Sequence, residues 1–190
     1  MKSLKHYIIG GAVFVLVVGT LAHFLYEWTG NNFVVGLFTP VNESVWEHMK
    51  LVFFPTLLYS FLLIVKFGKE YPCMTSACCF GILLGACLVP TLYYIYTGIT
   101  GRNILILDLA VFAVSVIAAF VSIYRFAQSC RVQAWTPVLF LAVCAGIVCF
   151  LLFSYHPPKA AIFAPPSDPV RHTAVFFPNF DCRYFSGMLY

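Results

Sequence analysis

At 190 residues, with 62% hydrophobic and only 9% charged side chains and a mean hydropathy of +0.91, the chain is far from a soluble composition, which carries about 25% charged residues. An ordinary aqueous enzyme, a disordered segment and a nucleic-acid binder are excluded, the last because the 11 Lys and Arg are spread along the length instead of massed on one surface. Eight Cys would suit a disulfide framework, but Cys73, Cys78, Cys79, Cys87, Cys130, Cys144 and Cys149 lie in or beside apolar runs without CxxC spacing. Cys in such runs acts as a small buried hydrophobe. Cys182 stands apart in a polar tail.

A bilayer core of ~30 Å takes about 20 helical residues to cross. Five stretches meet that length, at 7–27, 44–67, 73–96, 104–127 and 135–155. The connections are short, so the expected fold is an all-α polytopic transmembrane bundle over residues 1–156, its backbone polar groups satisfied inside the helices. A Pro-rich tail follows at 157–190. Lys2, Lys5, Lys66, Lys69, Arg125 and Arg131 fall at the N-terminus and in the second and fourth connections, against Arg102 and Lys159 on the other side. Cations in short loops stay in the cytoplasm, which predicts an inside N-terminus and an extracytoplasmic tail. Within the spans, Pro55 and Pro90 each remove a backbone donor and favour a kink, while Gly81 and Gly85 are spaced for a close helix contact inside the chain. Between the first two spans, Thr29 to Asn32 reads as a turn and Gly36 to Pro40 as a second bend, so this outer loop is expected to lie as a lid.

The polar residues concentrate between His23 and Lys50. Ionisable groups at membrane depth are costly and mark functional sites with a partner. His23 and Glu27 are four apart, as are Glu43 and Glu47, and Ser44 and His48, so each pair shares a helix face. At 1.5 Å per residue, His23 and His48 sit roughly 6 to 8 Å inside their helix ends and are free to meet. Asp108 enters the same outer layer from the fourth span and His156 from the end of the fifth. One chemistry for such a layer is a zinc ion, held by imidazole and carboxylate ligands, whose bound water has a pKa of about 7. The candidate ligands are His23, His48, Asp108 and His156, with Glu47 as general base and Ser44 as its neighbouring donor. Tyr26, Glu27, Trp28, Asn31, Asn32, Asn42, Glu43, Trp46 and Lys50 would line the pocket. The alternative is a proton or cation relay built on carboxylates and His. The bland readings stand beside both: Glu47 neutralising Lys50 three residues on, Asn42 or Glu43 capping the second helix, and the aromatics forming an interfacial belt.

The segment HFLYEWTGNNFVVGLF followed by PVNESVWEHMKLVFFP resembles a family of small multi-pass membrane proteins, found mainly in Gram-positive anaerobic bacteria and labelled a domain of unknown function. The resemblance implies a bacterial plasma membrane and no particular activity. His, Asp and Ser at helix ends are also similar in kind to the alkaline ceramidase and adiponectin receptor superfamily of membrane hydrolases, which have seven spans. The reading that emerges is a metal-dependent hydrolase of a lipid or amide, in contact with membrane lipids. A small proton- or cation-coupled transporter and a non-catalytic assembly factor are the other expectations.

Overall fold

A computed structural model describes residues 2–165; Cys182 and most of the Pro-rich tail lie outside the described residues. Six α-helices follow one another: α1 (Lys2–Trp28), α2 (Phe33–Phe38), α3 (Val45–Phe67), α4 (Met74–Thr100), α5 (Leu105–Ser129) and α6 (Thr136–Phe153). All but α2 are long and apolar enough to cross a membrane, so the protein is a multi-pass membrane bundle. Neither Pro55 nor Pro90 ends its helix; the expected interruptions are absorbed within continuous spans.

The packing is graded. Half of the α3 span is buried inside the protein against 11% of the α6 span, so α3 is the central helix and α6 shows most of its side chains to lipid. α4 lies against α3, α5 and α6, and α1 closes the other side against α3 and α5. Val52, Phe53, Leu63, Met74, Ile82, Val116, Phe120 and Ile123 fill the shared interior. A Cβ on Gly81 would strike Ile123 and the Ala119 carbonyl, and one on Gly85 would meet Val52 and Ala119, so this pair sets the close packing of α4 on α5.

Two readings of the sequence need correction. The loop between α1 and α3 holds a helix: after a turn through Gly30 (φ 67°) and Asn31 (φ 59°), Asn32 Oδ1 accepts the Val34 and Val35 amides and starts α2. Six residues are too few for a periodicity signal, which is why the segment reads as bends. The second correction concerns cysteine. Cys73 and Cys130 form a disulfide, their Cα atoms 5.3 Å apart, tying the turn after α3 to the turn after α5. Both stand at the ends of apolar runs, where the chain leaves the core, so an argument from apolar surroundings fails for them. Cys78 and Cys79 are buried thiols.

Candidate metal centre

Gly19 makes the site. A Cβ there would lie 2.7 Å from both the Leu51 carbonyl and Phe112 Cζ, so only a residue without a side chain lets α1 approach the α3 backbone. One turn further out on each helix stand His23 and His48, whose ring centroids are 5.2 Å apart. A ligand atom from each, with one from Glu43, gives a set lying within 4.8 Å of one another.

The hydrogen bonds dictate how His48 presents itself. Its Nδ1 lies 2.8 Å from the Ser44 carbonyl, an acceptor, so Nδ1 carries a proton and donates. In the neutral ring Nε2 is then a bare lone pair. That lone pair sits 3.4 Å from Glu43 Oε2. Two acceptors at this distance repel unless a proton or a metal ion lies between them. For zinc bonds of 2.0 to 2.2 Å, a tetrahedral edge is roughly 3.3 to 3.5 Å. His23 Nδ1 is buried with no hydrogen-bond partner among the described residues.

Glu47 and Lys50 do something else. Both side chains are sealed from solvent, at 1% and 0% relative exposure. Lys50 Nζ has four acceptors for its three N–H groups, Glu47 Oε2 at 2.6 Å, Ser154 Oγ at 2.5 Å, the Gly36 carbonyl at 3.1 Å and the Thr39 carbonyl at 3.3 Å, so one proton is shared between two of them. Glu47 Oε2 also accepts the Val41 amide at 2.9 Å, and the Ser154 hydroxyl donates to the Phe150 carbonyl. The carbonyls at the C-terminal end of α2, left open by the short helix, are thus satisfied by an ammonium from α3. Gly36 permits this: a Cβ would meet Val41 Cγ1 at 2.6 Å, Tyr26 Cε2 at 2.8 Å and the Tyr155 hydroxyl. Tyr155 donates to the Phe33 carbonyl at 3.0 Å and stacks on the Phe33 ring. Burial, with Tyr26 and Glu47 nearby, raises the Tyr155 pKa and keeps it a neutral donor.

The other residues expected at the site fall in several places. Ser44 is the N-cap of α3, its hydroxyl accepting the Glu47 amide, and Asn42 Oδ1 accepts the Ser44 amide. The cap is therefore Ser44, with Asn42 supporting it, and not Asn42 or Glu43. Asp108 accepts a hydrogen bond from Tyr96 across α4 and α5 and does not join the three-residue group. His156 is exposed just beyond α6 and is also outside that group. Glu27 and Asn31 are exposed, and Trp28 stacks on Phe24. Trp46 packs between Phe150 and Phe163. Gly19, Gly36, Thr39 and Ser154 were missed because backbone carbonyls and absent side chains leave no ionisable signal; Lys50, a buried cation, was the one pointer to them.

Residues 1–168 match the model of a family of unknown function (DUF6512). No curated protein and no solved structure matches the chain.

Proposed function

We propose, for a chain that belongs to this family of unknown function, that it is a metal-dependent hydrolase of a lipid or amide in a bacterial plasma membrane, with His23, Glu43 and His48 as the ligands of a zinc ion. One observation carries the reading: the His48 Nε2 lone pair faces a carboxylate oxygen of the exposed Glu43 at 3.4 Å, a spacing that a shared zinc ion would fit. The Ser44 carbonyl behind His48 is the kind of outer partner that fixes a ligating imidazole in one tautomer and orientation. Two His and one carboxylate are a known catalytic zinc set, leaving a fourth position for water. Zinc, when held by His23, Glu43 and His48, would supply a hydroxide near neutral pH, and the close approach of α1 to α3 at Gly19 would keep those ligands in register.

The metal group differs from the set expected from spacing. Asp108 and His156 are replaced by Glu43, and Glu47 is given to Lys50, since a carboxylate neutralising a buried ammonium is a poor general base. An apolar groove of about 380 Å³ lined by Ala22, Leu25, Phe38, Phe54 and Leu58 supports a lipid substrate. Its α1 wall includes Ala22, the residue before His23 in the chain.

A second reading shares the observation. A proton on His48 Nε2 makes the contact an ion pair, which supports a proton-coupled transporter. Metal analysis of the detergent-purified full chain separates the two. We expect zinc near one per chain, falling in His23→Ala, Glu43→Gln and His48→Asn, and zinc-dependent cleavage within a panel of fluorogenic ester and amide lipids. A purified chain that takes up no zinc at micromolar concentrations would sink the hydrolase and leave the proton reading.

A further inference from the structure

The disulfide and the charges disagree about compartment. The turns that Cys73 and Cys130 join are those flanked by Lys66, Lys69, Arg125 and Arg131, the cations that place this face in the cytoplasm. Cytosolic thiols are kept reduced, and the disulfides found there are transient, catalytic or redox-sensing. A permanent staple satisfies the cysteines alone; a reversible one satisfies both.

We propose that Cys73 and Cys130 are a thiol–disulfide exchange site on the cation-rich face, reduced by a dithiol from the aqueous side. The inference rests on the charge-based orientation and is independent of the zinc reading. The two sulfurs are unequal. Cys73 is 1% exposed, whereas Cys130 is half-buried and followed by the exposed Arg131. An attacking thiolate therefore reaches Cys130 Sγ, and nearby positive charge favours the thiolate form. The incoming sulfur bonds to Cys130 Sγ, the Cys73–Cys130 bond breaks, and Cys73 leaves with the electron pair and takes up a proton. The reagent's second thiolate then attacks its own sulfur in the mixed disulfide and frees Cys130, so one dithiol is oxidised for each disulfide reduced. A place for the product thiol is ready: Gln133 Oε1 lies 3.2 Å from Cys73 Sγ, within reach of an S–H donor.

Reduction would also release a conformational constraint. Cys130 ends α5 at φ 53°, a left-handed conformation uncommon for a residue with a side chain, and its amide bonds the Phe126 carbonyl there. Freed of Cys73, this turn can move relative to the turn after α3.

The test counts thiols in the full chain in native membranes, by acid quench and alkylation in SDS with a mass-shifting maleimide. Dithiothreitol on inverted vesicles should add two tags to the wild type, and diamide should remove them. Cys73→Ser and Cys130→Ser should each lose the redox-dependent shift. After reduction, an impermeant maleimide should label wild type beyond Cys130→Ser in inverted vesicles and not in intact cells. Labelling from outside intact cells would place the pair in an oxidising compartment as a fixed staple and overturn the proposal. So would a pair that dithiothreitol reduces only after denaturation, or thiols that diamide leaves unpaired. The wild-type counts decide even if a serine variant fails to fold.

Discussion

Replacing Glu47 by Gln removes one negative charge and almost no volume from a place where both partners are sealed from water. Lys50 keeps its contacts to Gly36, Thr39 and Ser154 but loses its counter-charge. Breaking one side of a buried pair costs about 3 to 5 kcal/mol. For a chain of this size each kcal/mol moves Tm by roughly 2 to 4 °C, so the melting temperature in detergent should fall by roughly 6 to 20 °C. Lys50→Met is not innocent either, because it leaves the buried Glu47 carboxylate without its counter-charge and strands two carbonyls at about 1 to 3 kcal/mol for each unsatisfied group. The double variant Glu47→Gln/Lys50→Met should nonetheless be more stable than the sum of the two losses, with a coupling of about 2 kcal/mol or more from the cycle. If Glu47→Gln melts like wild type, or the two losses simply add, the pair is not holding α2 on the bundle and Glu47 returns as a candidate base.

Gly19→Val should force α1 away from Leu51, costing about 1 to 3 kcal/mol of overpacking, and separate His23 from His48. Zinc content and Tm should fall together, and a variant that keeps its zinc would show that the helix approach does not build the site. Asn32→Ala removes the cap of α2, worth about 1 kcal/mol; faster proteolysis at the 29–32 turn is the readout, and an unchanged cleavage rate would refute the capping role.

The spans were legible because 20-residue apolar runs have only one use, and the five long helices lie where hydropathy put them. The meeting of His23 and His48 was legible from depth alone. Depth says nothing about azimuth, however. Asp108 and His156 belong to the same end of the bundle, yet Asp108 is turned to Tyr96 and His156 is exposed, and no spacing rule distinguishes them from Glu43. Glu47 shows the converse limit. Its pairing with Lys50 follows from an i, i+3 spacing, but the wrapping that makes the pair buried comes from Gly36, Thr39 and Ser154, the last 104 residues away from Lys50.

That long reach bears on how the molecule is built. A helix as short as α2 does not stand alone, since forming its first turn is unfavourable without packing. Its carbonyls are closed by Lys50, and Lys50 is also joined to a hydroxyl delivered by the last span, while Tyr155 just beyond it holds the Phe33 carbonyl. As the chain is threaded into the bilayer from its N-terminus, the connection between α1 and α3 lacks these last contacts until α6 arrives. A chain interrupted before Ser154 would leave Lys50 without that hydroxyl and the Phe33 carbonyl without the Tyr155 donor, so α2 would be held only by its contacts to the earlier spans. The final helix, though it shows most of its side chains to lipid, is thus part of what fastens the first loop.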